Sequence, residues 1–204
     1  MRARIGTAMA IATGAATVAV VLAVPGESSR TASPRAAAGT EPATPASSPA
    51  TSSRSAREDC STRSEADFPG AFTSPHNLVV GPLVLVGGAY TDPITVREFG
   101  GNKFPLLVRA GHAVTVRIAR RGRTVAGLAY GPLPEGETEL SDAYRSVTFV
   151  ACRRGRASRQ GVAVTFWSGF VLTRAPGCIP LDAYVDGATS PRRVGLALGR
   201  RCGQ

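Results

Sequence analysis

Apolar residues in the second half of this chain recur at every second position and are broken at short intervals by turn chemistry, which restricts the segment to sheet structure. Val114, Val116 and Ile118 share one strand face whose other side shows Thr115 and Arg117. Val147, Phe149 and Ala151 repeat the pattern, as do Val162, Val164 and Phe166, then Leu181, Ala183 and Val185, then Val194, Leu196 and Leu198. A period of two puts one face on a core and the other toward water. Leu83 to Val86 and Leu106 to Val108 are continuously apolar instead, which suits strands covered on both faces. Between these runs fall Pro69-Gly70, Gly87-Gly88, Gly100-Gly101, Arg121-Gly122, Pro176-Gly177 and Asp186-Gly187. About seven to nine strands spaced this way predict an all-β fold, an antiparallel β-sandwich of immunoglobulin-like or jelly-roll-like form. No helix is expected in it, and Glu135 to Ser146 reads as a long polar loop.

The N-terminal part obeys different chemistry. Ile5 to Val24 contains no charged side chain and follows Arg2 and Arg4. About twenty helical residues cover the roughly 30 Å hydrocarbon core of a membrane, and the basic flank favours a cytoplasmic N-terminus. Residues 1–24 are therefore expected to be an apolar helix, either a signal peptide or a signal-anchor transmembrane segment. The length of the run favours the anchor. Residues 25–58 collapse to Ala, Ser, Thr and Pro, with Pro34, Pro42, Pro45 and Pro49 closely spaced. Such a stretch buries too little apolar surface to offset ordering its backbone, and a disordered linker is expected. Residues 59–204 are then the extracytoplasmic domain, secreted or held at the membrane by residues 5–24.

All four cysteines, Cys60, Cys152, Cys178 and Cys202, fall in that domain. An even count downstream of an export signal predicts two disulfides, and the lack of C-x-x-C spacing argues against a metal site. Three pairings are open; proximity of the domain ends favours Cys60 with Cys202 and Cys152 with Cys178. Trp167 between Cys152 and Cys178 meets only half of the immunoglobulin hallmark.

Leu107-Val108-Arg109-Ala110-Gly111, Phe149-Val150-Ala151-Cys152, Gly169-Phe170-Val171-Leu172 and Gly177-Cys178-Ile179-Pro180-Leu181-Asp182 follow one another in a distinctive cadence. Over roughly Gly81 to Cys202 the chain resembles a group of uncharacterised exported β-domain proteins of actinobacteria. The resemblance brings no activity with it.

The net charge of +10 is carried by arginine, Lys103 being the only lysine. Arg117, Arg120, Arg121 and Arg123 surround one expected hairpin tip and Arg153, Arg154, Arg156 and Arg159 a second, while Arg192, Arg193, Arg200 and Arg201 flank the last strand. If two tips share one end of the fold, Arg120, Arg121, Arg123, Arg153, Arg154 and Arg156 form a basic rim for anionic wall polymers or lipid head groups, since guanidinium binds phosphate and carboxylate in a bidentate fork. Nucleic acid is not an expected partner, because single-strand binding interleaves basic residues with exposed aromatics, and Phe149, Phe166 and Trp167 sit in core-like strand patterns. No cofactor motif is present. The alternative to a non-catalytic envelope module is an exported hydrolase-like enzyme, for which Ser168, His112 and Asp182 are the nominees. Glu135, Glu137, Glu139 and Asp142 lack the spacing of a calcium loop.

Overall fold

The computed structural model describes residues 54–132, 138–154, 156–157 and 162–203. In chain order these form β1 (Ser55–Glu58), β2 (Leu78–Val80), β3 (Leu83–Leu85), α1 (Pro93–Phe99), β4 (Gly101–Lys103), β5 (Leu106–Arg109), β6 (Ala113–Ile118) and a 3-10 turn at Arg120–Gly122. There follow β7 (Ala126–Ala129), β8 (Ser146–Val150), β9 (Arg156–Ala157), β10 (Ala163–Trp167), β11 (Phe170–Thr173), β12 (Gly177–Val185) and β13 (Arg192–Leu198). The domain is mostly β, as the alternation predicts. Its strands pair as β1-β8-β6-β12-β13, as β2-β3-β5-β10-β9 and as β4-β11-β7.

One large core draws from all three sheets. Val114, Val116, Ile118, Val147, Phe149 and Leu181 come from the first, Leu83, Leu85, Leu106, Val108 and Trp167 from the second, and Leu128 and Val171 from the third. The continuously apolar strands β3 and β5 are indeed covered twice. Their Val84 and Leu107 point away from the large core into a second cluster capped by Phe68, Ala71 and Phe72. Strand β10 departs from expectation in the same way: Thr165 and Trp167 face the large core, while Val164 and Phe166 join the second cluster.

Three further departures have local causes. First, β1 pairs parallel to β8, so the fold is not uniformly antiparallel. Strand β1 also lies in the stretch assigned by composition to the linker; its order comes from pairing with β8 and from Ala56, which packs against the large core. Second, the chain does contain a helix. Asp92 accepts from the Ile94 amide at 2.7 Å, Pro93 occupies the first turn and Gly100 closes α1 at φ 62°. Asp-Pro before and Gly-Gly after are start and stop signals. Only Val96 is buried on α1, so no apolar period marks it in the sequence.

Third, the disulfides join Cys60 to Cys152 and Cys178 to Cys202, not Cys60 to Cys202 and Cys152 to Cys178. The parallel register pairs Glu58 with Phe149, so Cys60 and Cys152 leave neighbouring strands at the same end. The Trp167 indole N–H fixes this corner by donating to the Asp59 carbonyl at 3.1 Å. In the β12–β13 hairpin Cys178 lies opposite Ala197, a few residues before Cys202. Among the described residues no helix is long and apolar enough to cross a membrane; residues 5–24 and the linker up to residue 53 lie outside them.

Glu58 is only 3% exposed, and its Oε1 has no hydrogen-bond partner. Burial pushes its carboxyl above the ordinary glutamate pKa, against a lowering hydrogen bond with Thr62 and with a smaller push from the Asp59 charge. An acid whose pKa is raised by folding holds its proton longer in the native state, so it weakens the fold as pH rises from the unfolded pKa through the folded one. Glu58→Gln is expected to raise the urea midpoint at pH 7 and to lose that advantage below about pH 4. An advantage equal at both pH values would show that the charge is not the cause.

Candidate anion-binding groove

Strand β12 sits between β6 and β13, and its alternation sends Ile179, Leu181 and Ala183 into the core. Cys178, Pro180, Asp182 and Tyr184 consequently face outward. Register places Asp182 opposite Arg117 on one side and Arg193 on the other. The Arg193 Nε lies 3.7 Å from Asp182 Oδ1, and the Arg117 guanidinium stacks 5.1 Å over the Tyr184 ring.

Two loops raise walls on this outer face. Pro180 has no amide to extend the β12–β6 ladder past the bond from Ala119 N to its carbonyl, so the chain turns through Arg120–Gly122 and leaves Arg120 and Arg121 exposed at the rim. On the far side Gly199, at φ 78°, reverses the chain after β13, and Cys202 returns to Cys178. The disulfide lies flat on the sheet because Gly195 has no side chain: a Cβ there would stand 2.5 Å from Cys202 Sγ and 2.7 Å from Cys178 Sγ.

The result is a groove of about 540 Å³ lined by Arg120, Arg121, Asp182, Arg193 and the Cys178–Cys202 bridge. That volume is in the range of small-molecule sites. Three guanidinium groups face one carboxylate, and the Arg193 side chain is 84% exposed, so its pairing with Asp182 is weak and leaves the rest of its fork open to a ligand.

The sequence-predicted rim is only partly assembled. Arg120 and Arg121 line the groove, and Arg193 joins them from the third cluster. Arg123 turns away, its Nε donating to the Ile118 carbonyl at 3.3 Å. Arg153 and Arg154 lie at the other end of the first sheet, because Ala113 pairs with Val150 and Arg117 with Ser146, so β8 ends where β6 begins. About 20 Å of strand separates the two tips. Arg156 is in β9, and its side chain and Arg159 lie outside the described residues. Arg192 lies against the Gly81 turn, and Arg201 stacks 5.3 Å over Tyr90.

The nominated hydrolase trio does not come together. His112 Nδ1 lies 2.8 Å from Asp186 Oδ2, not against Asp182. The Ala113 amide first, and then His112, hold the Asp186 carboxyl below the usual range. Ser168 follows β10 at the end where Trp167 pairs with Leu106, whereas His112 follows β5 at the opposite end, where Arg109 pairs with Val164. In the acidic loop Glu139 and Asp142 close a local turn, the Asp142 carboxylate accepting from the Glu139 amide; Glu135 and Glu137 lie outside the described residues.

No protein-family model, curated protein or solved structure matches this chain. The groove itself is therefore the ground for a functional reading. Its missed members are Arg193, which counting assigned to a different cluster from Arg120, and Asp182, whose place between two arginines follows from strand register alone.

Proposed function

We propose that the chain is an exported, non-catalytic cell-envelope domain, tethered through residues 5–24 and the linker, that binds an anionic polymer along this groove. The single observation that carries the reading is the convergence of Arg120, Arg121 and Arg193 on one cavity whose only acidic lining residue among the described residues is Asp182. Two formed disulfides are consistent with an extracytoplasmic location, since oxidising compartments let them persist. The scaffold in this proposal is a β-sandwich, a reading supported by the one core to which both five-stranded sheets contribute.

Contacts of this kind are screened by salt, because the Debye length falls from about 10 Å at 0.1 M to about 3 Å at 1 M. The full chain is expected to be retained on a purified cell-wall fraction at low salt and released at high salt. The triple variant Arg120→Glu, Arg121→Glu, Arg193→Glu is expected to lose at least about tenfold in affinity, or about 1.4 kcal/mol. The double variant Arg153→Glu, Arg154→Glu, at the other end of the sheet, should lose much less. Equal retention of the folded triple variant and the parent chain would overturn the proposal.

A further inference from the structure

A second group of arginines lies beyond the 3-10 turn, away from the groove, around the start of β7. Arg123 is anchored by its Nε to the Ile118 carbonyl, and the Ile118 amide in turn donates to the Arg145 carbonyl at 3.0 Å. Arg145 reaches the Ala126 carbonyl through Nη1. Arg174 approaches from the other flank of the same strand, its amide donating to the Val125 carbonyl at 3.0 Å. Three cations from three different segments thus surround residues 125 and 126.

Nothing among the described residues balances them. The ion pairs Arg54–Asp142, His112–Asp186 and Arg193–Asp182 draw on other residues and do not include Arg123, Arg145 or Arg174. Arg145 Nε is moreover buried without a hydrogen-bond partner. A buried donor left unmade costs about 1–3 kcal/mol, and clustered like charges add to that cost. Burial, followed by the charges of Arg123 and Arg174, pulls the Arg145 guanidinium below its ordinary pKa. An anion beside the cluster relieves the repulsion among the three charges.

We propose that Arg123, Arg145 and Arg174 form a binding site for a phosphomonoester or free phosphate, separate from the groove. A tetrahedral dianion offers three terminal oxygens to three guanidinium forks, whereas a carboxylate offers two. Arg145 supplies the N–H groups of its half-buried guanidinium that the Ala126 carbonyl leaves free, and Arg174, exposed and tied to the fold through its backbone amide, supplies the open side.

Calorimetric titration of the full chain with inorganic phosphate at low salt tests this. Phosphate is expected to bind and sodium acetate to bind at least about tenfold more weakly. Arg174→Glu should raise the phosphate Kd about tenfold or more with the circular dichroism spectrum unchanged, while Arg153→Glu, at the far end of the first sheet, should leave it unaltered. Glycerol 3-phosphate and phosphatidic acid vesicles separate a soluble ester from a lipid head group, and preference for either supports the site. The proposal is overturned by no phosphate binding, by equal binding of acetate, by an Arg174→Glu variant that binds as the parent does, or by an equal loss of binding in Arg153→Glu. Because the polymer assay reads the groove variants and this titration reads Arg174, failure of one proposal leaves the other standing.

Discussion

Replacing Cys60 and Cys152 together by serine is expected to remove about 4–5 kcal/mol of stability, and replacing Cys178 and Cys202 about 3 kcal/mol. The difference comes from the lengths of chain the bridges close, 92 residues for the first and 24 for the second. A longer loop confines the unfolded ensemble more, so its removal costs more. The first bridge also holds the corner where parallel β1 meets β8 and where Trp167 reaches Asp59. Denaturant melts of the full chain and the two double variants would read both costs. Peptide mapping without reductant is expected to find the Cys60 peptide joined to that of Cys152. A Cys60–Cys202 peptide, or a larger loss from the shorter loop, would contradict this connectivity.

Gly169→Ala is expected to cost about 3 kcal/mol, at the upper end for overpacking a closed core. An added Cβ would stand 2.1 Å from Tyr130 Cδ1 and 2.3 Å from Cε1. The ring cannot swing aside. Tyr130 is 1% exposed, its hydroxyl donates to the Phe104 carbonyl at 2.7 Å, and the Phe104 amide donates to the Gly169 carbonyl at 2.9 Å. Phe149 packs edge-on against the same ring at 5.2 Å and leans on Trp167 at 5.3 Å. For a domain of this size about 3 kcal/mol corresponds to a Tm drop of roughly 6–12 °C. In a Tyr130→Ala background the same glycine substitution should cost less than about 1 kcal/mol, because the clash has gone. Equal costs in the two backgrounds would show that Tyr130 is not what Gly169 makes room for.

The strands were legible because one-sided burial writes itself into a sequence as alternation, and β6, β8, β12 and β13 turn inward the residues that alternation names. Strand β10 misled because both of its faces are covered, so Val164 and Phe166 look like core while the larger Trp167 occupies the other side. Helix α1 left capping signals but no apolar stripe, since a seven-residue helix with one buried side chain has no period to display. In the groove, Arg120 and Arg121 were found because they are adjacent in the chain. Arg193 and Asp182 became members only through pairing of strands, and Arg145 and Arg174 through contacts around β7.

From its sequence alone this chain is a β-rich, doubly disulfide-bonded domain carried on a proline-rich stretch, because periodicity, turn residues and an even cysteine count are local properties of the chain. Only the tertiary structure decided which cysteines meet, that β1 lies parallel to β8, and which arginines share a cavity. Those are relations between residues distant along the chain. They depend on strand order and register, which are set by the summed packing of whole faces and not by any one segment.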